Sequence, residues 1–187
     1  MRPPEAGRET IRQAMVRVTA CLRAAGIETP ERDARLLLSA ACGANPTELI
    51  AEPRRLFEQE AAERMTRYLR RRMAREPVSR ILGSRAFYGR DFALSPATFD
   101  PRPDSETLID AVLELAREEG WIDLPIQVLD IGTGTGCLLI TVLAELPRAA
   151  GVGVDIDADA LRVAECNGIA HGMTDRVRWV QSDLATD

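Results

Sequence analysis

The sequence has few of the residue types that build metal sites and disulfide frameworks. It contains one histidine, His171, and four widely separated cysteines: Cys21, Cys42, Cys137 and Cys166. Because no two cysteines form a Cys-x-x-Cys pair, we expect no metal and no disulfide framework. Buried or half-buried free thiols are the interpretation we favour for the cysteines. His171 precedes Gly172, and a helix C-terminus accounts for it without catalysis.

Long apolar runs, a signal-peptide pattern and an excess of positive charge are also lacking. No stretch reaches the roughly 20 apolar residues that a transmembrane helix needs. The net charge of −5 and the pI near 5.1 argue against a broad surface for non-specific nucleic-acid binding. With 187 residues, 45% of them hydrophobic, the chain can form one ordinary domain or two small ones. We therefore expect a cytoplasmic protein without a membrane partner and without direct contact to nucleic acid.

Lysine is absent altogether, and this absence limits the kinds of ligand that one glycine-rich stretch can bind. In residues 127–140 a short apolar run suited to a buried strand is followed by Gly132, Gly134 and Gly136, and then by an apolar run with helical spacing. A phosphate-binding P-loop ends in Gly-Lys-Ser or Gly-Lys-Thr, so that interpretation fails. The dinucleotide fingerprint needs a third glycine at position 137, where the chain has Cys137.

Although these two motifs are excluded, the stretch still predicts a strand, a glycine turn and the start of a helix. This arrangement suits a nucleotide-like ligand. Glycine permits positive φ and close approach of a ligand, and the helix N-terminus offers N–H groups and a partial positive charge. Two later apolar runs end in the acids Asp155 and Asp183. Asp155 follows the glycines by about 20 positions, where a carboxylate can accept both ribose hydroxyls. The alternatives are a plain strand-to-helix turn for the glycines and an ordinary turn at Asp183.

This block resembles the cofactor half of an S-adenosylmethionine-dependent methyltransferase with the Rossmann-like fold. The resemblance implies S-adenosyl-L-methionine as the cofactor. It implies that the methionine part lies against the glycine loop, which consists of Gly132, Thr133, Gly134, Thr135 and Gly136. It also implies that Asp155 holds the ribose and that Asp183 and Leu184 border the adenine.

Helical spacing of apolar residues, with proline and glycine at the boundaries, predicts four helices before residue 76. They run from Glu9 to Ala25, from Thr29 to Gly43, from Asn45 through Ile50, and from about Phe57 to Arg75. Their short connections predict a small bundle. The fourth helix carries an arginine cluster: Arg67, Arg70, Arg71, Arg72 and Arg75. It could contact ribosomal RNA or an acidic protein, but we favour a solvated face that complements the helix dipole.

After Pro77 the pattern becomes extended. Residues 81–83 and 85–94 place aromatic and apolar residues around glycines, which predicts a β-hairpin that acts as a structured connector. Three prolines in residues 96–107 then predict an extended segment, and a helix with Leu108, Val112, Leu113 and Leu115 follows. This rigid segment is well placed to border an active site.

Four stretches together resemble the peptide-chain release factor glutamine methyltransferases, in the family's order, from about Ile11 to Leu184. They are residues 31–38 (Glu-Arg-Asp-Ala-Arg-Leu-Leu-Leu), residues 76–78 with 82–83, residues 87–89 (Phe-Tyr-Gly), and residues 101–106 (Pro-Arg-Pro-Asp-Ser-Glu). The resemblance implies an α/β fold with three parts. Residues 1–76 form a helical substrate-docking domain, residues 77–100 a β-hairpin connector, and residues 101–187 the N-terminal half of the methyltransferase domain, with the first half of its Rossmann-like sheet.

The reaction implied is methyl transfer from S-adenosylmethionine to the side-chain amide nitrogen of the glutamine in the Gly-Gly-Gln motif of class 1 peptide-chain release factors. An amide nitrogen is a poor nucleophile, and the family orients it with oxygens of an Asn-Pro-Pro-Tyr motif. That motif would follow a further strand beyond Asp187, so we expect a truncated chain that is inactive alone and assign no catalytic residue. The glycine-loop strand should then be an exposed apolar edge.

One further departure from the family is Asp100, since the family has an apolar residue before its Pro-Arg-Pro. Three alternative functions stay open at this point. They are a glutamine methyltransferase acting on a ribosomal protein, a DNA adenine methyltransferase, and a non-enzymatic S-adenosylmethionine-binding module.

Overall fold

The computed structural model describes residues 9–183, which divide into two compact units with the boundary between Leu82 and Gly83. Helices and a parallel sheet are both present, so the predicted α/β class is confirmed. Within the described residues, no helix combines the length and the apolar character that crossing a membrane requires. Leu184, which was predicted to border the adenine, lies outside the described residues.

The first unit contains the helices α1 (Ile11–Ala24), α2 (Pro30–Cys42), α3 (Pro46–Ala51), α4 (Gln59–Met73) and α5 (Val78–Leu82). The four predicted helices are confirmed with small shifts at their ends. Thr10 and Asn45 form capping boxes that begin α1 and α3, and Gly43 ends α2 in the left-handed conformation. Thr29 makes no capping hydrogen bond, because its hydroxyl donates to the Asp33 carboxylate instead.

The apolar faces of these helices pack into one core. Its large fully buried members are Leu22, Leu37, Leu38, Phe57 and Met65. An ion pair between Arg72 Nε and Asp33 Oδ2, 2.7 Å apart, joins α4 to α2, and its side chains are only 17% and 7% exposed. The bundle is therefore held by apolar burial together with one largely buried charge pair.

Arginines at the end of α4 form ion pairs and hydrogen bonds with other residues of the first unit. Arg71 pairs with Glu76 and donates to the carbonyl oxygens of Arg80 and Ile81. Arg75 donates to the carbonyl oxygens of Gly26 and Ala25. Arg72 pairs with Asp33, as described above. Three of the five arginines in the cluster therefore link elements of the bundle to one another.

The extended conformation predicted at Ile81 and Leu82 is wrong, because these residues end the short helix α5. The backbone N–H of Ile81 donates to the carbonyl oxygen of Pro77, which closes a helical turn. Proline suits the first turn of a helix, since its fixed φ is already helical. Helix α4 has already ended at Met73, so Pro77 marks the start of α5.

The second unit begins with the predicted hairpin, formed by β1 (Ser84–Phe87) and β2 (Arg90–Ala93). Its two-residue turn has positive φ at both Tyr88 (49°) and Gly89 (73°), which fits the twist of a tight hairpin. The backbone N–H of Tyr88 donates to Glu106 Oε1 at 2.9 Å. Two motifs that carried the family resemblance, Phe-Tyr-Gly and Pro-Arg-Pro-Asp-Ser-Glu, are thus in direct contact.

The segment after the hairpin turns helical earlier than predicted. A single 3-10 turn covers Pro103–Ser105, and α6 (Glu106–Glu118) follows at once. The buried residues of α6 are Ile109, Leu113 and Ala116. Leu108 and Leu115 remain 52% and 46% exposed.

The sheet is parallel, with strand order β3-β4-β5. Its elements are β3 (Gln127–Ile131), α7 (Cys137–Glu145), β4 (Ala150–Asp155), α8 (Ala158–Ala170) and β5 (Val177–Gln181). Asp155 pairs with Gln181, and Ile131 with Val154, so the carboxyl ends of all three strands lie at one edge. The predicted first half of a Rossmann-like sheet is confirmed, and this edge is where such sheets bind ligands.

Candidate cofactor site

The glycine loop between β3 and α7 is shaped by positive φ at Gly132 (72°), Gly134 (55°) and Gly136 (77°). L-residues with side chains avoid this region, so the path depends on glycine. A Cβ added to Gly132 would meet nothing within 4 Å, and one added to Gly134 would meet only the Gly132 carbonyl oxygen at 4.0 Å. The outer side of the loop is therefore open, and a ligand can approach the main chain there.

At the last glycine of the loop, Gly136, the space that a Cβ would occupy is filled by other side chains. A Cβ on Gly136 would lie 2.9 Å from Trp179 Cη2 and 3.0 Å from Ile140 Cδ1. Helix α7 starts at the next residue, Cys137, and its first N–H groups give this end a partial positive charge. The loop is thus open outside, packed inside and polarised by a helix.

The Asp155 carboxylate at the tip of β4 is held against the loop. Its Oδ2 accepts from the backbone N–H of Gly134 at 2.9 Å, and its Oδ1 accepts from that of Asp157 at 3.0 Å. Each carboxylate oxygen has two lone pairs, so both oxygens can still accept hydrogen bonds from a diol. The structure therefore brings the Asp155 carboxylate into direct contact with the glycine loop.

Thr133 and Thr135 support the loop from inside. They are 6% and 3% exposed. The Thr133 hydroxyl donates to Asp130 Oδ2 at 2.6 Å, and the Thr135 carbonyl oxygen accepts from Asn167 Nδ2 at 2.9 Å. At these two positions, only main-chain atoms are placed to contact a ligand, because the side chains are buried.

Asp130 is part of the site, although it was not among the predicted site residues. Burial raises the pKa of its carboxyl, and the hydrogen bonds from the Thr133 hydroxyl and the Leu139 N–H only partly offset this. The negative charge of Asp155 raises the pKa of Asp130 further. The signal available in the sequence was an acid near the end of the apolar run, two residues before the first glycine.

The third strand, β5, ends at Gln181 at the same edge, two residues before the acid Asp183 that was expected to end it. The backbone N–H of Ser182 donates to the Asp155 carbonyl oxygen at 3.2 Å, which ties this segment to the end of β4. Asp183 follows directly and is exposed. Its role beside the adenine stays a prediction.

The cysteines and the histidine show no sign of a catalytic role, although Cys137 directly follows the glycine loop as the first residue of α7. Burial raises the pKa of the Cys137 thiol, which makes it a poor nucleophile. Cys166 is exposed, so the expectation of a buried or half-buried thiol is wrong there. His171 caps the C-terminus of α8, where its ring nitrogen Nε2 lies 2.9 Å from the Asp91 carbonyl oxygen. Among residues 9–183, no three His, Cys, Asp or Glu side chains gather as metal ligands would.

Two family models match the chain, one in each unit. The PrmC N-terminal domain matches residues 13–83, and a methyltransferase domain matches residues 128–187. A crystal structure of an RNA methyltransferase from Salinibacter ruber with S-adenosyl-L-homocysteine aligns with 46% of this chain and 52% of that chain, at 32% identity and a TM-score of 0.39.

Curated relatives align across both units. The release factor glutamine methyltransferase of Bradyrhizobium diazoefficiens is 44% identical over 172 residues, which cover 92% of this chain and 58% of the relative. That of Rhodospirillum rubrum is 43% identical over 164 residues, which cover 88% of this chain and 49% of the relative. The chain thus spans 49% and 58% of the length of these relatives.

The parallel sheet, the glycine loop and the acid at the tip of β4 lie in the part of the chain that matches the methyltransferase domain, and they fit the Rossmann-like fold of S-adenosylmethionine-dependent methyltransferases. Across both units, the chain is similar to the release factor glutamine methyltransferases. The resemblance drawn from its motifs is confirmed.

Proposed function

We propose that the protein acts as a methyltransferase that moves a methyl group from S-adenosylmethionine to the side-chain amide nitrogen of the Gly-Gly-Gln glutamine in class 1 peptide-chain release factors. One observation carries this proposal: relatives named for this activity align with both compact units, and not with the glycine loop alone. A likeness in the methyltransferase domain by itself would support only the cofactor.

The cofactor would lie against the open side of the glycine loop. Main-chain groups from Gly132 to Gly136 would contact the methionine part, and Asp155 would accept hydrogen bonds from the ribose hydroxyls. Asp183 and Leu184 would border the adenine. The open space beside Gly132 and Gly134 supports this arrangement, since a Cβ there would meet almost nothing. When bound, S-adenosylmethionine supplies an electrophilic methyl group on its sulfonium.

The first unit would dock the release factor. Residues 1–76 form this proposed docking domain, and residues 77–100 connect it to the methyltransferase domain in residues 101–187. The amide nitrogen must be held in line with the methyl group, because orientation supplies much of the rate when the nucleophile is weak. We assign no residue of this chain to that role. Such a reaction belongs in the cytoplasm with the translation machinery and requires no nucleic-acid contact.

The test is transfer of labelled methyl from S-adenosylmethionine to a purified class 1 release factor. The natural gene product and the 187-residue chain are assayed in parallel, and binding of S-adenosylhomocysteine is measured for both by calorimetry. We expect both to bind the cofactor product and the natural gene product to label the release factor. A release factor with alanine in place of the Gly-Gly-Gln glutamine is the control and should stay unlabelled.

Two results would contradict the proposal. If the alanine release factor is labelled equally, the target residue is wrong. If no release factor is labelled although the cofactor product binds, the substrate is wrong, and a ribosomal protein becomes the next substrate to assay.

A further inference from the structure

Asn167 is a buried polar residue in the middle of α8, with 2% of its surface exposed. Its side-chain amide makes three hydrogen bonds, all to backbone groups of other elements. Oδ1 accepts from the Ala93 N–H at 2.8 Å, and Nδ2 donates to the Ala93 carbonyl oxygen at 3.2 Å. Nδ2 also donates to the Thr135 carbonyl oxygen at 2.9 Å. One side chain thus contacts both the hairpin and the glycine loop.

The two contacted residues have different roles in the fold. Ala93 ends β2, from which the chain runs into the segment before α6. Thr135 sits in the glycine loop, between the open Gly134 and the packed Gly136. An amide is well suited to this position, because it offers two N–H donors and an acceptor at once. The bond to the Thr135 carbonyl oxygen is buried and the two bonds to Ala93 are half-buried, so leaving the Thr135 oxygen without a partner would be costly, and the three bonds together link the loop to the hairpin.

We infer that Asn167 is a positioning residue through which cofactor binding at the glycine loop orders the hairpin and the segment that follows it. The inference rests on the proposed function, since it takes the loop as the cofactor site. Asn167 does not touch the reacting atoms. It acts through the Thr135 carbonyl oxygen at one end and the Ala93 backbone at the other.

His171 provides a matched control. It lies one turn after Asn167 on the same helix, and it contacts the same hairpin through the Asp91 carbonyl oxygen and the Phe92 ring. Within residues 9–183, His171 makes no hydrogen bond or ring contact to the glycine loop, whereas Asn167 bonds to both the hairpin and the loop. His171→Ala should therefore loosen the hairpin without separating it from the loop.

The experiment is hydrogen exchange of the full chain with and without saturating S-adenosylhomocysteine, for the wild type, Asn167→Ser and His171→Ala. In the wild type and in His171→Ala, the ligand should slow exchange both in residues 132–136 and in residues 90–94. In Asn167→Ser it should slow exchange in the loop alone. We expect the affinity of Asn167→Ser to fall roughly tenfold, since the buried hydrogen bond to Thr135 is lost together with half-buried bonds to Ala93.

A second variant, Asn167→Asp, distinguishes hydrogen bonding from packing. It has nearly the same shape and keeps an acceptor for the Ala93 N–H, but its carboxylate has no donor for the two carbonyl oxygens. Protonation restores one donor. Protection of the hairpin by the ligand should therefore return as the pH falls. A residue that served only to fill space would show no such pH dependence.

Three results would overturn the inference. In the first, the ligand protects the hairpin equally in Asn167→Ser and in the wild type. In the second, His171→Ala loses the protection to the same degree as Asn167→Ser. In the third, calorimetry detects no binding of S-adenosylhomocysteine to the wild type. That last result refutes the proposed function as well, whereas the first two leave it intact.

Discussion

The indole of Trp179 fills the space beside Gly153, where a side chain would otherwise lie. A Cβ on Gly153 would come within 2.4 Å of the ring atom Cζ3 and 2.5 Å of Cε3. The same indole lies 2.9 Å from the Cβ position of Gly136 and 3.2 Å from that of Gly168. Three glycines thus surround one ring, and they come from β4, the glycine loop and α8. The ring packs against the inner side of the glycine loop at Gly136.

We expect Gly153→Ala to destabilise the protein by about 1 to 3 kcal/mol, because overpacking a filled site has this cost. Trp179→Val should destabilise it by roughly 2 to 4 kcal/mol through loss of packing. In the double variant, however, the added methyl enters the space that the indole leaves. The alanine should then cost at least about 1 kcal/mol less than it does alone. Urea unfolding of the four proteins measures this coupling.

Gly151→Ala is the matched control for this cycle. It lies in the same strand, but its Cβ would meet Leu139 Cδ1 at 2.6 Å and the Val128 carbonyl oxygen at 2.9 Å. Trp179→Val should therefore not relieve Gly151→Ala. Equal relief of both alanine variants would mean that the indole is not the specific neighbour of Gly153.

Asp155 should determine much of the affinity for the cofactor. Removing a charged hydrogen-bond acceptor costs about 1.5 to 3 kcal/mol, so Asp155→Ala should weaken S-adenosylhomocysteine binding by roughly 10-fold to 100-fold. Asp155→Asn keeps one acceptor and should lose less. Asp159→Asn is the control, because this nearby carboxylate is exposed and pairs with Arg162 on the surface. Calorimetry that gave equal losses for Asp155→Asn and Asp159→Asn would contradict the ribose assignment.

The raised pKa of Asp130 predicts a specific pH dependence of stability. Because its pKa is higher in the folded protein than in the unfolded chain, the folded state holds more protons between the two values. The carboxyl therefore destabilises the fold increasingly as the pH rises through this window, which begins near 3.9. Asp130→Asn removes this effect and can still accept from Thr133. We expect it to be more stable than the wild type at pH 7, with a difference that shrinks toward pH 4.

Urea midpoints between pH 4.5 and 7.5 test this dependence, with the exposed Asp123→Asn as the control. The control should follow the wild type at every pH. A constant difference between Asp130→Asn and the wild type across the range would show that the effect is not one of protonation.

The glycine loop and Asp155 could be predicted from the sequence because their signals are local. The loop is marked by alternating glycines after an apolar strand, and Asp155 follows at a fixed spacing. The register of β3 with β4 then places the two together, since adjacent parallel strands end at one edge. No knowledge of distant contacts was needed.

The supporting residues could not be predicted, because their roles depend on contacts far apart in the chain. Asn167 contacts Ala93 across 74 residues, and nothing near Asn167 in the sequence indicates this partner. Trp179 looks like an ordinary strand residue until the glycines around it are placed. Helix α5 was missed because five residues are too few for helical periodicity to appear.

We expect loss of one partner of the buried ion pair between Arg72 and Asp33 to destabilise the first unit more than loss of one partner of an exposed ion pair does. Both side chains are largely buried, so removing one partner leaves an uncompensated charge, and we expect Arg72→Met to cost about 2 to 4 kcal/mol. The pair between Arg64 and Glu60 is the control, since Glu60 is 80% exposed. Glu60→Gln should change stability by less than about 1 kcal/mol. Equal effects in urea unfolding would mean that burial does not distinguish the two pairs.

We expect the exposed strand β3 to promote self-association of the 187-residue chain. Leu129 and Ile131 are 59% and 58% exposed, and β3 lies at an edge of the described sheet. An open apolar edge can pair with a second copy, and a charge placed on it opposes such pairing. We therefore expect Leu129→Lys to reduce concentration-dependent association of this chain, as measured by light scattering from micromolar concentrations upward.

Val16→Lys is a suitable control for this last prediction. Val16 is 66% exposed on α1, so the substitution adds the same charge to an apolar surface position without touching a sheet edge. If association depends on strand pairing, only Leu129→Lys should reduce it. Similar reductions in both variants would point to net charge instead, because like-charged copies repel one another wherever the charge is placed.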